Sequence, residues 1–151
     1  MSPNDEVVEV LSECIKNINN LGNVDSFLQR DMTIIEIKSA LNELDNYLLQ
    51  RNYRDNEVNY LYKISSICQY SLIIFEKLNS VSKALFQEEY LSEEKVTYSI
   101  NMLLYIEQLI SKIITFNDCS MVVNPFLLYA SGKTTEYLEY LKKIIKTKNI
   151  K

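Results

Sequence analysis

Residues 58–78 read VNYLYKISSICQYSLIIFEKL. Val58, Leu61, Ile64, Cys68, Leu72, Phe75 and Leu78 recur at three and four, the spacing of one helix face. Ile67, Ile73 and Ile74 widen that face beyond a single stripe. A helix apolar over so wide an arc is buried on several sides. The stretch therefore predicts a central helix wrapped by others, and fixes the fold class as all-α.

The flanking chain repeats the helical period. Ile34, Ile37, Leu41, Leu44 and Leu48 form a seam of period 3.5 in a helix expected from near Thr33. Two heptads suit packing inside a bundle better than a free coiled coil. Val7, Val8, Leu11, Ile15 and Ile18 mark a first helix over 3–20, with Ser2 as N-cap and Pro3 at its first position. Arg51 to Asn56 is a polar break, with Asp55 or Asn56 as the next cap. After residue 78 the pattern admits two readings. Either Asn79-Ser80 breaks the helix ahead of a short one with Leu85 and Phe86, or the helix runs on to Tyr90.

Ser92 followed by Glu93 and Glu94 starts another helix, and acidic residues suit its positive end. Val96, Ile100, Leu103, Ile106, Ile110 and Ile113 carry it to residue 116, with Leu104, Leu109 and Ile114 broadening its face. This second broad face makes 93–116 a second central helix. Residues 117–124 are expected as a loop. Asn124-Pro125 then opens a helix that Gly132 ends, and Thr134 or Thr135 caps a last one with Tyr137, Leu138, Leu141, Ile144 and Ile145 inward. The expectation is one all-helical domain over 1–151, a bundle of about six to seven helices, with 146–151 a frayed basic tail.

Composition agrees. The chain has 151 residues, two glycines and two prolines. Average usage of about 7% would give roughly ten glycines. Hairpins and phosphate-cradling loops need positive φ, which glycine supplies readily. Sheet-rich and doubly wound folds are disfavoured. Gly22 falls where the αL residue after a first helix is wanted.

There is no histidine. The usual general base is missing, and so is the commonest transition-metal ligand. Three cysteines, Cys14, Cys68 and Cys119, cannot make a four-thiolate zinc site. Their odd number and wide spacing argue against a disulfide framework. Cys14 and Cys68 fall on apolar faces; Cys119 lies in the expected loop and is the thiol to probe. The start of the chain is polar and acidic, unlike a signal peptide. A reducing cytoplasmic or nuclear setting is expected.

Ser131-Gly132-Lys133-Thr134-Thr135 ends like a P-loop, but Leu127 stands where the motif needs its first glycine. A helix cap is the expected role. The pairs Glu88-Glu89 and Glu93-Glu94 flank Tyr90. Adjacent carboxylates on a helix point about 100° apart and do not converge on a metal. No catalytic residue, cofactor site or metal site is expected.

Partner binding is the remaining theme. Eleven tyrosines is a high count. Several lie off the apolar seams, including Tyr53, Tyr60 and Tyr140. Tyrosine is enriched at interfaces, although an A+T-rich genome accounts for the count equally well. Charge is segregated. Residues 1–60 hold 5 basic and 11 acidic side chains, a net −6; residues 132–151 hold 6 and 2, a net +4. Lys142, Lys143 and Lys146 sit in a basic amphipathic helix. They complement the helix C-terminus, dock on an acidic partner, or meet nucleic acid or anionic lipid. The acidic remainder of the chain weighs against nucleic acid.

The leading expectation is a non-enzymatic protein–protein interaction module, a subunit or adaptor that binds another protein or forms a homo- or hetero-oligomer. Its alternative is a small acidic antagonist, toxin-neutralising or virus-encoded. Helical modulators of the Bcl-2 type share the size and helix count, but no motif residues carry that likeness. A third alternative is contact with nucleic acid or an anionic membrane through the basic C-terminal helix.

Overall fold

The computed structural model describes residues 3–51, 56–87 and 91–147. The expectations for Ser2, Tyr53, Asp55, Glu88, Glu89, Tyr90, Lys148 and Lys151 lie outside the described residues. Five α-helices follow in order: α1 (Pro3–Asn19), α2 (Phe27–Leu49), α3 (Asn56–Phe86), α4 (Glu93–Ile114) and α5 (Asn124–Thr147). Short 3-10 helices at Leu21–Asn23 and Asn117–Val123 join α1 to α2 and α4 to α5. Among the described residues there is no strand.

Helix α3 is the axle. It packs against each of the other four α-helices. All seven residues of the face read from the sequence are buried on it, and so are Ile67, Ile74, Val81 and Leu85. Asn79 and Ser80 interrupt nothing, because Asn79 is buried and its side chain accepts a bond from Arg30 at 3.2 Å. The helix therefore runs through to Phe86.

The second expected centre differs. Helix α4 buries one face, Val96, Ser99, Leu103, Ile106, Leu109 and Ile113, and leaves Leu104 and Ile114 exposed. It covers α3 from one side and is not itself surrounded. The α2 seam is buried at all five positions. It packs within the bundle against α1 and α3.

Five helices stand where six to seven are expected: the break at Gly132 does not occur, and of the two readings after residue 78 the continuous helix holds as far as Phe86. Gly132 lies inside α5, which runs on to Thr147. Thr134 is no cap; its buried hydroxyl donates to the Ala130 carbonyl at 2.8 Å, one turn back. The helix holds Lys146 in its last turn. Ile145, expected inward, is exposed, and so is Val8 on α1. Residues 117–123 form a 3-10 helix instead of a loop.

Helix ends show the local chemistry. The Ser26 and Ser92 side chains accept from the backbone N–H of Gln29 and Lys95 and cap α2 and α4. Helix α2 thus starts at Phe27, six residues before the expected Thr33. Asn124 already has helical dihedrals and caps nothing. Instead Asn19, at the end of α1, accepts from the Phe126 N–H at 3.3 Å and donates to the Val122 carbonyl at 2.9 Å. A side chain over a hundred residues earlier thus satisfies one orphan donor of α5.

Neither glycine has positive φ; that backbone falls to Asn117, at φ 55°. Asparagine tolerates it better than most residues. Gly22 is needed for space. A Cβ there would lie 2.7 Å from Cδ2 of Tyr129.

Candidate functional site

The C-terminal turn of α3 meets the middle of α5 at a cleft of about 510 Å³. Its aromatic wall starts with Phe86, half exposed at the last residue of α3. The Tyr140 ring lies 4.9 Å from it and the Tyr137 ring 5.7 Å, centroid to centroid. Tyr137 is buried and anchors the group, while Tyr140 keeps an open edge. Tilted aromatic pairs of this kind hold one another in place.

Gly132, Thr135, Glu136, Glu139 and Lys143 complete the lining from α5. Residues 132, 136, 139 and 143 stand at spacings of four, three and four, one face of the helix. A Cβ added to Gly132 would meet nothing within 4 Å. The α5 backbone is thus laid bare at the cleft.

Charge in the cleft is mixed. The Lys133 ammonium sits 3.2 Å from Glu136 and 5.9 Å from the centre of the Tyr137 ring. The hydrogen bond to Glu136 pushes the Lys133 pKa up from its ordinary value. Glu139 and Lys143 enter no ion pair among the described residues, so both charges remain open to a visitor.

The Gly-Lys-Thr segment has no phosphate cradle. Its backbone N–H groups point along α5 as helix donors, and its lysine is engaged with Glu136. Among the described residues no three His, Cys, Asp or Glu side chains gather to hold a metal ion.

The candidates named from sequence do not converge. Tyr140 and Lys143 line the cleft together. Lys142 and Lys146 are exposed on the neighbouring edge of α5. Tyr60 lies on α3 26 residues before Phe86, roughly 39 Å away at 1.5 Å per residue. It lines a separate, mostly apolar groove of about 230 Å³ with Val8, Leu11 and Val122. Tyr53 lies outside the described residues.

Sequence reading missed Phe86 and Gly132. Phe86 closes the apolar period of α3, but only the tertiary placement of α5 makes it half of an aromatic pair. Gly132 looked like a helix terminator because a lone glycine commonly is one.

The thiols divide as their faces suggest. Cys14 and Cys68 are buried and Cys119 is half-buried. Burial pushes the Cys68 thiol up to about 12, with the nearby Cys14 thiol adding to it. The Cys14 pKa is also raised, by burial first and then by Glu13. Thiols so held stay protonated and are poor nucleophiles.

One half-buried cation ties the α1–α2 connection to α3. Arg30 donates from Nε to the Val24 carbonyl at 2.6 Å. Its guanidinium carbon lies 5.4 Å and 5.6 Å from the ring centres of Phe27 and Phe75. These partners give Arg30 a structural task.

The chain matches no protein-family model, and no characterised protein or solved structure matches it. No single helix among the described residues is long and apolar enough to cross a membrane.

Proposed function

We propose that this chain is a non-enzymatic helical module that binds another protein through the cleft between the end of α3 and α5. The observation that carries the reading is the Phe86–Tyr140 pair standing half open beside the bare backbone at Gly132. Binding energy at interfaces concentrates on a few aromatic anchors set in pockets. Fixed rings cost little entropy to immobilise, and a partner chain can approach the α5 backbone closely where no Cβ stands. Glu139 and Lys143 supply orienting charges at the rim.

The test is affinity purification from the source cells with wild type and Phe86→Ser in parallel. The expected result is a co-purifying chain retained by wild type and lost with the variant, both variants giving the same circular dichroism. Equal recovery with Phe86→Ser, or no recovery with either, would overturn the reading.

A second reading draws on the exposure of Lys142, Lys143 and Lys146, which suits an anionic surface. Glu136 and Glu139 stand within two turns of them and dilute the field. Binding of single-stranded nucleic acid or anionic vesicles that falls steeply with added salt would favour it.

A further inference from the structure

The outward face of α2 carries an apolar strip apart from the cleft. Leu28, Met32 and Ile35 follow at intervals of four and three and are 70%, 54% and 66% exposed. That spacing stacks them one above another on a single side of the helix. The buried seam of α2 uses a different register, so these three serve no part of the core. Isolated exposed apolar residues are ordinary, but contiguous ones mark contact surfaces.

Charge beside the strip says what covers it. Asp31 and Lys38 lie on one flank and are already paired, with Lys83 at 3.8 Å and Glu76 at 2.6 Å. On the other flank Glu36 and Glu43 are exposed and form no ion pair among the described residues. The open charge is therefore negative. Two such strips laid face to face with their helices antiparallel would set Glu36 and Glu43 against their own copies, a like-charge contact. The fitting occupant is a basic surface with an apolar centre.

The chain carries one itself. On α5, Lys142 and Lys146 stand one turn apart with Ile145 beside them, and Ile145 is 45% exposed. Neither lysine forms an ion pair among the described residues. The molecule's own α5 leaves the α2 strip open, so a contact of this kind joins two molecules. We propose that the chain self-associates head to tail: the edge of α5 bearing Lys142, Ile145 and Lys146 seats on Leu28, Met32 and Ile35 of the next copy. Glu36 and Glu43 there receive the two ammonium groups. A heterologous contact leaves one donor edge and one acceptor strip unused at the ends of each assembly, so it extends to rings or filaments.

The test is sedimentation velocity of the whole chain across roughly 10 µM to 1 mM, the range of a small interface. The average mass should rise past a dimer, and the rise should shrink at about 0.5 M salt. Met32→Glu should be monomeric, and so should the double variant Lys142→Glu, Lys146→Glu. An equimolar mixture of the two should form dimers that grow no further, because one keeps the donor edge and the other the acceptor strip. Ile35→Glu replaces Met32→Glu if circular dichroism shows the latter unfolded. A monomer at every concentration, a wild type that stops at a dimer, or an inert mixture would each overturn the proposal. Phe86→Ser should leave self-association unchanged, which separates this contact from the cleft.

Discussion

The two glycines should respond to the same substitution with opposite signs. Gly132→Ala places a methyl in open space on an exposed helix interior. Alanine loses less backbone entropy there, so the fold should gain about 0.5–1 kcal/mol. For a chain of this length that is a rise in Tm of roughly 1–4 °C. Gly22→Ala puts its Cβ 2.7 Å, 2.9 Å and 3.1 Å from Cδ2, Cγ and Cε2 of Tyr129. That ring cannot swing away freely, since Phe75 and Phe126 stand 6.2 Å and 6.4 Å from it, centroid to centroid. Overpacking of this kind costs about 1–3 kcal/mol. Because Gly22 has no positive φ, the penalty is steric and the ring carries it. In a Tyr129→Ala background the cost of Gly22→Ala should therefore fall below about 0.5 kcal/mol, the coupling a double-mutant cycle reads. Urea denaturation followed by circular dichroism measures all four. A destabilising Gly132→Ala, a neutral Gly22→Ala, or an unchanged penalty in the Tyr129→Ala background would refute the steric argument.

Further outcomes follow from the thiols, the half-buried arginine and the caps. A thiol-specific reagent should modify Cys119 in the native protein and reach Cys14 and Cys68 only on unfolding. Cys68 keeps its proton longer in the folded state, since its pKa rises from 9.0 to about 12. Its contribution is complete below pH 9 and is lost as pH climbs from there toward 12, at about 1.4 kcal/mol per unit; urea titrations of Cys68→Ala should lack that component of the slope. Arg30→Met should cost about 1–3 kcal/mol by removing the ring contacts and leaving the Val24 carbonyl without this donor. Arg30→Lys should recover only part of this, because an ammonium cannot reproduce the planar fork. Ser92→Ala should cost about 1 kcal/mol through loss of the α4 cap, read as a lower urea midpoint.

Helices were legible where periodicity was long and strong. The faces of α3 and α2 stand in the sequence residue by residue, because burial on a helix imposes its own spacing. Breaks were less legible. Gly132 and Asn79-Ser80 carry the local chemistry of interruption, yet both lie inside continuous helices, since tertiary packing outweighs a propensity cost of about 1 kcal/mol. The long-range cap from Asn19 to Phe126 had no local signal at all. Breadth of an apolar face also misled at α4, where Leu104 and Ile114 face water although Leu103 and Ile113, just before them, are buried. Of the residues singled out for binding, Tyr140 and Lys143 share the cleft because they lie three apart on one helix. Phe86 joins them from another helix, a pairing that only the fold creates. The α2 strip of Leu28, Met32 and Ile35 was hidden in the sequence, because a helix expected only from Thr33 leaves Leu28 and Met32 outside it.

The axle position of α3 has a kinetic consequence. Four helices each cover part of the same 31-residue rod, so peeling one away uncovers a flank of α3 while the others still guard its backbone. Amide protons near Ile67 and Phe75 should then exchange only when every cover is lost at once, at the free energy of global unfolding. Those at the ends of α2 and α5 should exchange through smaller openings. Hydrogen exchange would thus record a hierarchy centred on the middle of the chain, and a fragment lacking α3 would have no common surface on which the remaining helices could assemble.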